Sequence, residues 1–541
     1  MMLRRDYRRS IIFGTAAFAA VFLFMALAVF ALLSFDAGAS AAGVMDAYTL
    51  RILRFTLYQA TLSTLLSIVL GLPVALALAR RKEFPGRIWI IRLMAVPMGL
   101  PVIVGAFGII TIWGRQGVLN SALVFAGADE PFSIYGLSGI LIAHVFFNLP
   151  LCVRLMLAGL ERIPGEYWRM AASLGMGPVS VFRFIEWPAV SRLIPGIAGL
   201  VFMLCATSFT LVLLLGGGPA ATTLEVAIYQ ALRFDFDPQR AIALSVLQIV
   251  LTAVLLGLLA FLPSPEAEIS SLGRNIRRFD GRTTGARLWD GAAIVFAVFL
   301  VGLPLVAIAV SGLQADLSRL LIAPIFLRAA ATSVLIAMLS AILVVLCCMG
   351  IIGARQAIGS RRQVAWPFGL LSALLGAGSS LVLLVPPVVL GSGWFLLLRV
   401  FGDASFYAPV LVALINMLMA LPLAMRVMEP AFTIHFLRTG RLSASLGLQG
   451  YSRLRFADLP VLWRPVLMAL SFAMALSLGD LGAVALFGSE NFVTLPWLVY
   501  SNMGSYRTND AAGYAFLLGV VCLLLAAGGT SRQSPSARAG I

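Results

Sequence analysis

The chain has 541 residues, of which 61% are hydrophobic and 11% charged, with a mean hydropathy of +0.99 and a formal net charge of +16. Soluble domains carry roughly 25% charged residues, and an aqueous core cannot absorb so much apolar surface because cores stop growing and split into domains. A soluble fold is therefore excluded, and the bilayer must solvate most side chains.

Windows of about 20 apolar residues mark membrane-spanning helices. In chain order they fall at 11–33, 56–79, 88–113, 134–160, 193–215 and 240–262, then at 288–311, 328–353, 366–398, 407–428, 465–487 and 510–528. Pro97 and Pro101 interrupt the third span, and Pro386 and Pro387 the ninth. The first apolar run is too long for the h-region of a signal peptide, so the first span is expected to be retained. The expected fold class is an all-α polytopic membrane protein of about twelve transmembrane helices.

A strongly basic chain can signal nucleic-acid binding. Here the positive charge is almost all arginine, Lys82 being the only lysine, and it clusters between apolar stretches. Clusters occur at Arg4, Arg5, Arg8 and Arg9, between Arg80 and Arg92, and in the 161–192 loop. Others follow in the 274–287 segment, at Arg355, Arg361 and Arg362, in the 431–464 loop, and at Arg532 and Arg538. The intervening loops hold isolated arginines such as Arg115, Arg319 and Arg507. Cytoplasmic loops carry the arginine excess, so both termini are expected in the cytoplasm and no nucleic-acid partner is expected.

Two halves repeat. Arg169-Met-Ala-Ala-Ser-Leu-Gly175 and Phe184-Ile-Glu-Trp-Pro188 return as Arg441-Leu-Ser-Ala-Ser-Leu-Gly447 and Phe456-Ala-Asp-Leu-Pro460, 272 residues later. The same offset pairs Pro150 with Pro422, Arg154 with Arg426, Arg183 with Arg455 and Arg192 with Arg464. Six spans per half make the repeats parallel. The expected organisation is a first half over 1–262 (core 51–262), a flexible cytoplasmic linker over 263–287, and a second half over 288–541 (core 327–528).

The repeated motif lies in a loop of about 30 residues, long for a simple connection. Glu166–Leu174 lacks Gly and Pro, Pro164-Gly165 precedes it, and Gly175 stands where a helix C′ residue belongs. So short a helix is marginal alone and needs something to dock on, and Ala171 and Ala172 offer it a small face for close approach.

These residues resemble the permeases of ABC importers, whose cytoplasmic loop reads EAA, three residues, G, nine residues, I, x, L, P. Arg169-Met170-Ala171, Gly175, Ile185 and Pro188 fall in that register; Arg169 and Arg441 replace the acid, and Ala457 replaces the isoleucine. A closer resemblance, to the fused two-half permeases of bacterial thiamine/thiamine pyrophosphate importers, rests on several stretches. They include Trp113-Gly-Arg-Gln-Gly117, Tyr135–Pro150, Phe182–Pro188, Gly216-Gly-Gly-Pro219 and Val484-Ala-Leu-Phe-Gly488. Ferric-iron importer permeases share the fused layout and remain the alternative.

The resemblance implies a type I importer permease in the bacterial inner membrane, with coupling helices near 165–175 and 437–447. The residues carried over are Glu166, Arg169, Ala171, Ala172, Gly175 and Pro188 in one loop, and Arg441, Ala444, Gly447 and Pro460 in the other. It also implies a homodimeric ATP-binding subunit docked on those loops and a periplasmic substrate-binding protein. A Walker A loop needs glycines ahead of a lysine, and Lys82 sits in Ala79-Arg-Arg-Lys-Glu-Phe84. ATP hydrolysis is expected in a separate subunit, so this chain is not expected to be an enzyme.

Ionisable or polar groups within spans are functional candidates. Asp480 lies in Ser477-Leu-Gly-Asp-Leu-Gly482, with Ser208 as its repeat partner, and is either a group on the substrate path or a helix cap. His144 and Asn148, one turn apart in the fourth span, are either path residues or helix-packing hydrogen-bonders. A proton-coupled carrier would need more midplane ionisable groups than this. Cys152, Cys205, Cys347, Cys348 and Cys522 lie in apolar stretches without CxxC spacing, and with two histidines no metal site or cofactor is expected.

Overall fold

The computed structural model describes residues 2–34, 46–127, 133–261, 278, 283–359, 366–400, 402, 404–448, 450–488, 492–505 and 507–530. Regular structure among the described residues is helical, without strands. Among the described residues, ten helices are long and apolar enough to cross a membrane: 8–34, 47–80, 102–125, 137–161, 238–259, 284–314, 324–359, 408–440, 455–479 and 508–528. The other two expected spans are broken. The fifth divides into Ile194–Ala206, which is bent by 53° from the preceding Pro178–Ser191, and Thr210–Leu215, and the ninth divides into Trp366–Gly378 and Pro387–Arg399.

Proline chemistry accounts for the irregular third and ninth spans. A residue before proline is driven out of the α region, and Leu100, ahead of Pro101, is extended at φ −88° and ψ 133°. The expected 88–113 span therefore ends as short turns at Gly99 and restarts as helix Val102–Trp113. Val385, ahead of Pro386, is likewise extended, and helix Pro387–Arg399 begins two residues on. The fifth and eleventh spans break without proline, at Thr207–Phe209 and at Asp480–Leu481.

Two compact units result, one comprising 42–227 and 250–314 and the other 1–41, 228–249 and 315–541. They depart from the sequence halves chiefly in the leading spans. Helix Thr284–Gln314, expected to open the second half, packs on Ala47–Arg80 and Val102–Trp113 in the first unit. Helix Met2–Ser34 packs on Pro324–Gly359 and Pro387–Arg399 in the second.

Small residues let membrane helices approach backbone to backbone, and they explain the choice of partners. A Cβ on Gly108 would sit 2.7 Å from the Pro304 carbonyl. One on Gly14 would overlap the Gly350 carbonyl and Ala354 Cβ, and one on Gly393 the backbone of Ala28. The linker expected over 263–287 lies outside the described residues except Arg278 and 283–287.

Candidate functional site

In the first copy of the repeated loop, Pro164 and Gly165 end one helix and begin the next, Gly165–Ser173. Its exit is a Schellman motif. Gly175 takes φ +62°, its N–H donates to the Ala172 carbonyl at 3.2 Å, and the Met176 N–H donates to the Ala171 carbonyl at 3.0 Å. Glycine meets the left-handed C′ geometry without a Cβ penalty. Trp168 and Ala171 face inward and pack with Val181, Ile163, Met176 and Ile185. Ala172 faces out, so the two alanines expected to form one small face are divided between core and surface. Glu166, Arg169, Gly175 and Pro188 are also exposed. A π-helical turn, Phe182–Glu186, then re-aims the chain.

The second copy repeats the exit and the turn but not the entrance. Gly447 takes φ +66°, the Leu448 N–H donates to the Ser443 carbonyl at 3.0 Å, and a π-helical turn covers Leu454–Asp458. Where the first copy has Pro164-Gly165, this one has Phe436-Leu437, with nothing to break the backbone. Helix Ala408–Ser445 consequently runs without interruption from the membrane span into the motif, and no separate short helix forms. Gly447 and Pro460 are exposed, while the side chains of Arg441 and Ala444 lie outside the described residues.

The exposed surfaces of the two copies match in a way the motif comparison missed. Met170, Leu174, Phe184 and Trp187 are large, apolar and exposed, and so are Leu442, Leu446, Phe456 and Leu459 at the same offset. Met170 and Leu174, four residues apart, share a helix face. The signal was available as apolar identity at matched positions between arginine clusters. Beneath each face lies an acid, also at the matched position. Glu186 is fully buried and accepts from Arg278 at 2.5 Å and from Arg80 at 3.5 Å. Asp458 lies 2.9 Å from His435 Nε2 and 3.5 Å from Arg453 Nε.

Several polar residues of the spans meet at the helix breaks. In the first unit, Gln59 donates to the Cys205 carbonyl at 2.9 Å, Ser63 Oγ lies 2.9 Å from His144 Nδ1, and Asn148 Nδ2 lies 3.3 Å from Cys205 Sγ. These side chains brace the end of helix Ile194–Ala206, whose last carbonyls lack intrahelical donors. His144 and Asn148 are buried there, and Ser208 is half-buried in the break itself.

In the second unit, Asn416, the repeat equivalent of His144, donates to Ser477 Oγ at 2.9 Å and to its carbonyl at 3.3 Å. Asp480 caps the next helix, accepting from the N–H groups of Gly482 and Ala483 at 3.2 Å each. The adjoining cavity, lined by Ser333, Asn416, Ser477, Asp480 and Thr494 among others, measures ≈ 10 Å³. That is room for about one water molecule, not for an organic substrate.

Membrane-length helices joined by a twice-repeated exposed loop suit a known class. Residues 67–263 match the family of binding-protein-dependent transport system inner membrane components, and the chain is a multi-pass membrane protein of that kind. Within it, the chain is 46% identical over 509 residues to the thiamine transport system permease protein ThiP of Brucella abortus (strain 2308), covering 94% of this chain and 92% of that one. It is 43% identical over 480 residues to the protein of that name from Escherichia coli (strain K12), covering 89% and 88%. A shorter match, 33% over 213 residues, joins 38% of this chain to 76% of the molybdenum transport system permease protein ModB of Mycobacterium bovis. The chain belongs to the family of thiamine transport system permease proteins.

Proposed function

We propose that this chain is the membrane permease of an ABC importer for thiamine and its phosphates, with both repeated loops on the cytoplasmic side. The observation that carries the reading is the duplicated exposed face at Met170, Leu174, Phe184 and Trp187 and at Leu442, Leu446, Phe456 and Leu459. Two like faces at one sequence offset suit two copies of one partner, here a homodimeric ATP-binding subunit. Glu166 and Arg169 rim the first face, and the glycine exits hold each helix end in a fixed direction. Hydrolysis resides in that partner, and a periplasmic binding protein delivers substrate to the opposite side.

Asp480 and Ser208, at the span breaks, are the residues of this reading closest to the path, and His144 and Asn148 serve as braces behind them. Thiamine as substrate follows the relatives that cover nearly the whole chain. Ferric iron gains no support from them.

Affinity purification in mild detergent tests the assembly: an ATPase should co-purify with the intact chain and be lost when Leu174 and Leu446 are both changed to Asp. In proteoliposomes carrying the assembled complex and its binding protein, labelled thiamine should accumulate with ATP while ferric iron does not compete. Uptake of iron but not thiamine would reverse the substrate assignment.

A further inference from the structure

The two loops differ in how they are joined to the membrane. In the second, helix Ala408–Ser445 is continuous, so a push on the motif is carried into the span by hydrogen-bonded backbone. In the first, the break at Pro164-Gly165 removes that link, and side chains stand in its place. Glu186 lies at the end of the π-helical turn with its side chain fully buried, and Arg278, 3% exposed, donates to it at 2.5 Å. The Arg278 guanidinium also lies over the Trp168 ring, 3.9 Å from its centroid, on the inward face of helix Gly165–Ser173.

From Glu186 the charges alternate onward. Arg80, at the end of helix Ala47–Arg80, reaches Glu186 at 3.5 Å and Asp290 at 2.8 Å. Asp290, on helix Thr284–Gln314, also accepts from Arg81 at 2.9 Å.

Buried charges are stable only when paired with good geometry. A planar guanidinium can stack and donate at once, which a lysine cannot. Arg278 belongs to the sequence that joins the two halves. We propose that it is a positioning residue: stacked on Trp168 and paired with Glu186, it clamps helix Gly165–Ser173 to the ends of the 47–80 and 284–314 helices. The clamp carries motion where the backbone does not. Arg278 is thus part of the transmission. This rests on the reading that the 165–173 helix is where the ATP-binding subunit docks.

The test uses the assembled transporter in proteoliposomes with its binding protein. A Ser173→Cys reporter, exposed on the same helix, reads docking by thiol cross-linking to the ATPase, the five native cysteines being buried. Into this background go Arg278→Gln with Glu186→Gln, which removes both charges together, and separately Arg278→Lys, which keeps charge but not the planar stack. The quantity measured is substrate transported per ATP hydrolysed, a ratio that loss of folded protein alone leaves unchanged.

The expected result is a parental cross-link yield with the ratio lowered about tenfold in the double variant and by less in Arg278→Lys. Where the double variant does not assemble, a lowered ratio in Arg278→Lys supports the clamp and an unchanged one overturns it. A parental ratio in an assembled double variant overturns it likewise. Failure of Ser173→Cys to cross-link in the parent overturns the docking reading and the clamp with it.

Discussion

At the scale of single residues, the carboxylate of Asp480 does two separable things. It caps helix Gly482–Phe487 through two backbone N–H groups, and it puts an ionisable group at a helix break within the eleventh expected span. A hydroxyl can cap nearly as well as a carboxylate, within about 1 kcal/mol, and the first repeat has Ser208 at this position. Asp480→Ser and Asp480→Asn should therefore assemble normally while uptake of a cationic substrate falls about tenfold. Wild-type uptake in both would reduce Asp480 to a cap. Gly175 and Gly447 make a sharper case because their φ values, +62° and +66°, are closed to proline. Gly175→Pro or Gly447→Pro should abolish uptake with the protein still in the membrane. Gly175→Asn should keep most of it, since asparagine tolerates the left-handed C′ position. Immunoblots of membranes alongside uptake distinguish these outcomes. The C′ glycines were legible in the sequence because a glycine after a helix-forming run has a local meaning. The Asp480 cap was one of two readings, because its partners depend on where the backbone breaks.

Among elements, legibility followed the chemistry of the breaks. Pro101 and Pro386 announced the interruptions of the third and ninth spans, since proline acts on its immediate neighbours. The breaks at 207–209 and 480–481 carry no proline and are braced from other helices, by Gln59, Asn148 and Asn416. No local pattern encodes that. The π-helical turns at 182–186 and 454–458 were equally silent. The unbroken second helix was readable from Phe436-Leu437, but the sequence match around Gly447 suggested two short helices alike. Helix partners were legible least, because they turn on which glycines meet a backbone. Gly14 faces Gly350 so closely that a methyl group must displace something, whereas Gly353 has open space around its Cα. Gly14→Ala should lose about 1–3 kcal/mol by overpacking, and Gly353→Ala should gain a little, up to about 1 kcal/mol, from helix propensity. Melting temperatures in detergent should move in opposite directions. Equal shifts would mean that helix Met2–Ser34 does not rest on Pro324–Gly359.

For the whole molecule, the question is how many times the chain crosses the bilayer, because ten long helices and twelve crossings give different sides to the loops. Parity decides it. The 161–192 loop and the 274–287 segment are both rich in arginine, and the arginine excess of cytoplasmic loops predicts one side for both. Between them lie the long apolar helix 238–259 and the broken segment that ends at Leu215. If the long helix crosses, the broken segment must cross as well. The second half repeats the constraint. By the same rule Arg355, Arg361 and Arg362 are expected on the side of the 431–464 loop. If the 408–440 helix between them crosses, the divided segment 366–399 must cross as well. Proline-broken helices can span when their freed backbone groups are satisfied within the protein, and the buried polar groups at the unprolined break of the fifth span serve that need. Alkaline phosphatase is active only when exported. Fusions at residues 218, 402 and 505 should therefore be active and a fusion at 275 inactive. Activity at 275 would overturn the orientation. Inactivity at 402 alone would make 366–399 a re-entrant segment and place the arginine-rich 431–464 loop on the outer side, against the charge distribution that governs the rest of the chain.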